Sequence, residues 1–273
     1  MTDRTIQLIH DFKPEPVNIP FNKCELEEAV EAIYTSMFPV CECNGTTNIS
    51  KELYNALEIL HKNIIQRTDK PTADRVVEGF MESLPSMRHR LFKDAQCYVA
   101  SDPAAKSIEE VILTYPGFFA LSIHRLAHLL HNLGKPLIAR YFSEYAHSKV
   151  GIDIHPAAKI GKNLFMDHGT GIVIGETCEI GDNVKIYQGV TLGALYVEKK
   201  LSDVKRHPTV EDNVVIYANA TILGGKTIVG HDSIIGGGAW LTKSIIPYSR
   251  VYNSVDVKIR TAKDFNSPFD YVI

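Results

Sequence analysis

Hydrophobic positions along the chain keep two rhythms, and the change falls near Gly151. Up to about residue 150 apolar side chains recur at helical spacing. Lys23 to Phe38 and Ile49 to Gln66 both show it, with Ala56, Leu57, Leu60 and Ile64 on one face of the second. Ser107-Ile108-Glu109-Glu110 reads as a capping box, in which the serine oxygen accepts from a first-turn N–H and the glutamate reaches back, so a helix should begin there. The pattern from Phe118 to Leu133 stops at Gly134-Lys135-Pro136, a glycine stop with proline close behind. A last helix is predicted from Leu137 to Ser148.

Beyond Gly151 aliphatic residues return every six positions: Ile154, Ile160, Met166 and Ile172, then after a two-residue offset Ile174, Ile180, Ile186 and Leu192. An interruption follows, and the beat resumes at Val210, Ile216 and Ile222 and, one residue out of step, at Val229, Ile235 and Leu241. Often the aliphatic is followed by glycine and, four residues on, by a small side chain, as in Ile180-Gly181 with Val184. Each unit reads as a short strand plus a tight turn: the aliphatic points inward, glycine takes the turn, and the small residue fits under the next coil. Three units close a triangular coil, and stacked coils bury one aliphatic column. The predicted architecture is α+β, with an all-helical domain over residues 1–150, a parallel β-helix of roughly five coils over 151–250, and a C-terminal tail over 251–273.

Composition narrows the partners. Over 273 residues, 29 Lys+Arg against 32 Asp+Glu give a net charge of -3 with no basic run suited to a phosphate backbone, which excludes nucleic acid. No stretch of about 18 apolar residues occurs, and the first thirty residues lack a basic start followed by an apolar segment, so a membrane partner is excluded and a cytoplasmic location predicted. The 5 cysteines, Cys24, Cys41, Cys43, Cys97 and Cys178, form no framework and fit a reducing compartment. Cys41-Glu42-Cys43 is too tight for an ordinary zinc pair and lies beside the turn signal Asn44-Gly45.

A prism wall of aliphatics and glycine offers few reactive groups, so polar residues that break the beat are informative: Asp153, His155, Asp167, His168, Arg206, His207 and His231. His168 is a candidate general base, since imidazole titrates near pH ~6.5. Asp153 lies fifteen positions earlier, so one coil of stacking could bring it beside that ring, where a carboxylate fixes the tautomer. The interruption "GALYVEKKLSDVKR" from Gly193 to Arg206 is predicted to loop out from the prism. His124, His128 and His131, at i, i+4 and i+7 of a helix, are assigned a structural role because no accompanying HExxH glutamate is present.

The repeat resembles that of the left-handed hexapeptide-repeat acyltransferases. Within that group "DIHPAAKIG", "DHGTGIVIGET", "IGDNV", "QGVTLG" and "RHP", with "SDPAA" and "PGFFAL" in the helical half, are similar in order and content to the serine O-acetyltransferases. The resemblance implies acetyl transfer from acetyl-CoA, a cosubstrate rather than a bound cofactor, to the hydroxyl of L-serine, the first step of cysteine synthesis from serine. It makes His168 the catalytic base and Asp153 its orienting partner. Asp102 and Asp167 would hold the substrate ammonium, Arg206 its carboxylate through the two-pronged guanidinium, and His207 would lie close to the reacting oxygen. Backbone N–H groups around Gly189 to Gly193 are candidate oxyanion donors.

The same resemblance implies a homotrimer or a dimer of trimers, with acyl-CoA between neighbouring prisms. Gly193 and Lys205, with Lys199 and Lys200, are candidate CoA contacts, although the loop that carries the lysines is bulkier and more basic than is usual in that family. Cysteine, which differs from serine only by sulfur for oxygen, is an expected feedback inhibitor. The ending "KDFNSPFDYVI" is assigned to a contact in which Ile273 enters the active site of O-acetylserine sulfhydrylase. Two alternatives stay open: another small alcohol as acceptor, disfavoured by the charges of Asp102, Asp167 and Arg206, and a zinc-type carbonic anhydrase using His155, His168 and His207. No metal is otherwise expected.

Overall fold

The computed structural model describes residues 2–12, 21–38, 49–195 and 204–253. Seven helices come first: α1 (Asp3–Asp11), α2 (Lys23–Met37), α3 (Ile49–Ile65), α4 (Lys70–Ser101), α5 (Ile108–Thr114), α6 (Pro116–Asn132) and α7 (Pro136–Val150). The capping box is present in altered form. Ser107 Oγ accepts from the Glu110 N–H at 3.2 Å, while the Glu110 carboxylate reaches past the cap to the Lys106 N–H at 2.7 Å. Helix α7 ends at Gly151, whose φ of 68° supplies the left-handed stop. None of the described helices is long and apolar enough to cross a membrane.

Short parallel strands follow: β1 (Asp153–Ile154), β2 (Lys159–Ile160), β3 (Phe165–Asp167), β4 (Val173–Ile174), β5 (Glu179–Ile180), β6 (Lys185–Tyr187), β7 (Thr191–Gly193), β8 (Thr209–Val210), β9 (Val215–Ile216), β10 (Thr221–Leu223), β11 (Ile228–Val229), β12 (Ile234–Ile235), β13 (Trp240–Leu241) and β14 (Arg250–Val251). They stack into three walls. Wall A runs β1-β4-β7-β10-β13, wall B β2-β5-β8-β11, and wall C β3-β6-β9-β12-β14. The six-residue aliphatics are the inward column: Ile154, Ile174, Leu192 and Ile222 of wall A are each no more than 3% exposed. The prism is therefore a parallel β-helix of about five coils, and β14 carries it past the end that the aliphatic beat predicts.

One detail differs from the expectation. The glycines that follow the aliphatics do not take the left-handed turn; asparagine does. Asn163, Asn183 and Asn213 have φ of 57°, 59° and 59° at the corner between walls B and C, and Asp232 above them has 57°. Their side chains bond upward in a ladder at 2.9, 3.2 and 3.2 Å. Asparagine tolerates this conformation because its short amide bonds locally.

The helices are fixed to the first coil by buried polar contacts. Asp94 of α4 and Arg125 of α6 pair at 2.7 Å with side chains 1% and 4% exposed. Arg125 also donates to the Gly161 carbonyl, and Asp94 accepts from the Asn163 N–H at 2.9 Å. Tyr98, fully buried, accepts from the Met166 N–H and stacks edge-on against Phe165 and Phe118. Gly117 lets α6 come close, since a Cβ there would lie 2.2 Å from the Met166 carbonyl oxygen. That approach brings the ends of α4 and α6 next to β3.

Candidate active site

The corner between walls C and A carries the first group of residues. Eight positions separate inward Met166 from inward Ile174, against six between Ile186 and Leu192 one coil above. The two extra residues push the chain outward, with His168 at a φ of 55°, a conformation few side chains accept. Its imidazole is 71% exposed and its Nε2 lies 3.7 Å from Asp167 Oδ2. Asp167 Oδ1 accepts from the His168 N–H at 2.9 Å, which fixes that carboxylate on the corner.

Across from it, Asp102 ends α4. Its Oδ2 accepts from the Tyr115 hydroxyl at 2.6 Å and its Oδ1 from the Ala104 N–H at 2.8 Å. These bonds, the tyrosine's first, hold the carboxyl below its ordinary range, and His168 adds attraction. The same bond raises the Tyr115 phenol to about 12, with Asp167 among the lesser causes. Tyr187, opposite Asp167 in register, stacks on Tyr217 at 5.1 Å and 16° and rises along the same corner. Two carboxylates and an imidazole thus share one face.

The corner between walls A and B carries the second group. Arg206 pairs with Glu176. His207, 8% exposed, packs its ring on Gly175, where a Cβ would lie 2.0 Å from His207 Cδ2. Burial first and Arg206 second push the His207 ring down to about 4. His155, one coil below Glu176, is also held down to about 4, by burial first, against the pull of Glu176. Lys205 donates to the Thr177 carbonyl at 3.0 Å and lies 3.5 Å from Glu179, beside a hollow of about 440 Å³. Gly193 ends β7 on wall A.

The structure therefore assembles the predicted residues into two sets rather than one. Asp102, Asp167 and His168 meet at the C-to-A corner; Lys205, Arg206 and His207 meet at the A-to-B corner. Asp153 makes no hydrogen bond or ion pair to His168. Its carboxylate faces Arg140 of α7 at 3.9 Å and gathers with Glu144 and His147, although its N–H bonds the Ile172 carbonyl at the foot of the bulged corner. Within one chain His168 lies on a different corner from His155 and His207, so a zinc site of those three would have to be shared between copies. Among the described residues Glu144, His147 and Asp153 are the group with metal-ligand spacing, and Arg140 already stands beside them. His128 donates from Nδ1 to the Pro156 carbonyl at 2.8 Å and His124 is buried, as structural histidines are. Cys41, Cys43, Lys199, Lys200 and Ile273 lie outside the described residues.

Sequence reasoning passed over Tyr115, Glu176 and Thr177. The last two break the aliphatic beat as plainly as Asp167 does, so the signal was present. A larger hollow of about 880 Å³ lies between the helices and wall B, lined by residues such as Arg90, His128, Lys159 and Asp232, and touches neither set.

No family model matches the chain. It is 51% identical over 178 residues, 63% of its length, to a plasmid serine acetyltransferase of Synechococcus elongatus, of which the match covers 56%. It is 52% identical over 130 residues to the serine acetyltransferase of Bacillus licheniformis, covering 48% of this chain and 58% of that one. The chain thus matches less than two thirds of the length of these curated relatives. Among solved structures, serine acetyltransferase isoform 3 of Entamoeba histolytica, in complex with cysteine, superposes with a TM-score of 0.79 at 31% identity, over 94% of this chain and 92% of that one. The chain belongs to the serine acetyltransferase family. A further serine acetyltransferase, from Neisseria gonorrhoeae and in complex with serine, matches with a TM-score of 0.60 at 26% identity over 88% of this chain and 98% of that one.

Proposed function

We propose that the chain transfers the acetyl group of acetyl-CoA to the hydroxyl of L-serine, giving O-acetyl-L-serine and CoA, the first step of cysteine synthesis from serine. The observation that carries this reading is the division of labour between corners: anionic Asp102 and Asp167 beside an exposed imidazole on one, the Arg206 fork with a neutral imidazole on the other. Asp102 and Asp167 take the ammonium and Arg206 the carboxylate, exchanging its contact with Glu176 for a substrate oxygen pair. His168 removes the hydroxyl proton as the serine oxygen adds to the thioester carbonyl. When the tetrahedral adduct collapses, the C–S bond breaks and His168 returns the proton to the CoA sulfur. Asp153, beside the foot of the His168 corner, is assigned to orient the imidazole when it turns toward substrate.

The two sets occupy different corners, so a complete site needs the C-to-A corner of one copy against the A-to-B corner of the next. A heterologous contact of this kind closes into a ring when the rotation permits, and three triangular prisms side by side give a homotrimer. Acetyl-CoA then lies between prisms, where Gly193 and Lys205 border it, and the helical domains are free to pair two trimers. The relatives bound to serine and to cysteine support an amino-acid site here, with cysteine competing for it. Ile273 is assigned to a contact with O-acetylserine sulfhydrylase, tested by co-elution with and without residues 269–273.

The reaction itself is tested by thiol release from acetyl-CoA against a panel of small alcohols. Serine should be the preferred acceptor, cysteine a competitive inhibitor, and His168→Ala should lower turnover about a hundredfold or more. Turnover of another alcohol with none of serine would overturn the assignment.

A further inference from the structure

Thr177 and His207 close a set of hydrogen bonds at the A-to-B corner. Thr177 Oγ1 accepts from the backbone N–H groups of Arg206 at 2.9 Å and His207 at 3.0 Å. Both of its lone pairs are then used, so its one proton goes to the remaining neighbour, His207 Nδ1, 2.9 Å away. The Thr177 backbone N–H also donates to Nδ1, at 3.1 Å. A ring nitrogen that accepts from two donors carries no hydrogen, so the neutral imidazole holds its proton on Nε2.

That Nε2–H has no hydrogen-bond partner among the described residues, and it is not one of the polar atoms sealed from the surface without a partner. The ring cannot turn away from this arrangement, because the ring face at its Cδ2–Nε2 edge rests on Gly175 with no room for even a methyl group between them. Arg206 and Lys205, which lead into His207, and Glu176 from the coil below are the charged groups around it. Burial and Arg206 outweigh Glu176 and keep the ring neutral.

We propose that Thr177 is a positioning residue that fixes His207 as a neutral Nε2–H hydrogen-bond donor, and that His207 presents this donor, rather than a base, to the acyl-transfer centre. The proposal rests on the acetyl-transfer reading above: the acceptor is an oxygen that gains negative charge as the serine hydroxyl adds to the thioester. A donor already in place at that point acts without reorganising during the reaction. It also leaves His168 as the base, since Nδ1 of His207 is closed by Thr177 and Nε2 is already protonated.

The test reads the ring directly. Nitrogen-15 spectra of the full chain with labelled histidine, His207 being assigned by difference from His207→Asn, report which nitrogen carries the proton. The expected pattern from pH 6 to 8 is the neutral Nε2–H form, kept in Thr177→Ser. Thr177→Val should lower kcat about tenfold and leave the KM for acetyl-CoA unchanged, with Thr177→Ser restoring most of the loss. An Nδ1–H or doubly protonated ring in the wild type overturns the proposal, as does wild-type kcat in Thr177→Val. Should the valine variant not fold, the wild-type and serine spectra still decide. The tautomer is read without turnover, so a chain inactive toward serine would overturn the reaction assignment and leave that of the ring standing.

Discussion

The Tyr115 hydroxyl donates to Asp102 Oδ2 at 2.6 Å, joining the cap of α6 to the end of α4 directly opposite the His168 corner. The tyrosine acts as more than a spacer. It is the largest cause of the lowered Asp102 pKa, and an ammonium binds a carboxylate that is charged and held still.

Tyr115→Phe removes that bond without changing the ring. A hydrogen bond to a charged group contributes about 1.5–3 kcal/mol, so the KM for serine should rise at least about tenfold while that for acetyl-CoA stays constant. The sign of the pH effect follows. Serine binding is present above the Asp102 pKa and lost as pH falls through it; without Tyr115 that pKa rises, so the acid limb of the kcat/KM profile moves to higher pH. Equal damage to both substrates would assign Tyr115 to the fold alone.

Much of this architecture can be read from single residues. The column Ile154, Ile160, Met166 and its successors announced the prism because a repeat must present the same side chain to the same core at every coil. The two-residue offset between Ile172 and Ile174 already marked the bulge that displays His168. Helix α4 was not singled out: Pro85 lies within its 32 residues, and its buried positions include Asp94, a charge that local periodicity counts as solvent-facing. Tyr115 was illegible for a related reason. Its partner Asp102 is near in sequence, but only the close approach of α6 to β3 at Gly117 puts the pair beside Asp167. Spacing likewise suggested that Asp153 and His168 meet, whereas Arg140, from a helix whose placement no local pattern shows, takes the carboxylate.

Asp94→Asn tests how the two halves are held together. It leaves Arg125 charged in a site where both side chains are almost inaccessible, and breaking one partner of such a pair costs about 3–5 kcal/mol. The exposed pair Lys159–Glu179 is the control, since Glu179→Gln should change stability by no more than about 1 kcal/mol. Equilibrium denaturation of both variants checks the contrast. Similar small losses would mean that the Arg125 bond to Gly161 carries the junction unaided.

Buried histidines should make the fold acid-sensitive. Burial, which disfavours the charged ring, holds His155 and His207 down to about 4 and His124 well below its ordinary value. In the unfolded chain all three take protons near pH ~6.5. Above that pH neither state is protonated and the groups contribute nothing to the pH dependence. Below it the unfolded state binds protons that the folded state refuses, so stability falls as pH drops from ~6.5 toward ~4. Melting temperatures across this range should show the decline, and His155→Asn should make it shallower. A flat profile in the wild type would remove these rings from the acid response.

The separation of the two corners makes a stricter prediction about assembly. His168→Ala spoils the C-to-A corner and leaves the A-to-B corner intact; His207→Ala does the reverse. Each variant alone has every site damaged. When the two are co-expressed with different tags and mixed oligomers are isolated, some interfaces set the intact C-to-A corner of one chain against the intact A-to-B corner of its neighbour. In a closed trimer every mixed ring, whether two-to-one or one-to-two, holds one such interface out of three, so isolated mixed trimers should recover about a third of wild-type turnover. A site built within a single chain would recover nothing on mixing, because no chain would hold both residues. Sedimentation of the same samples then connects the recovered activity to the closed ring: activity that persists in monomer fractions would rule out the shared site.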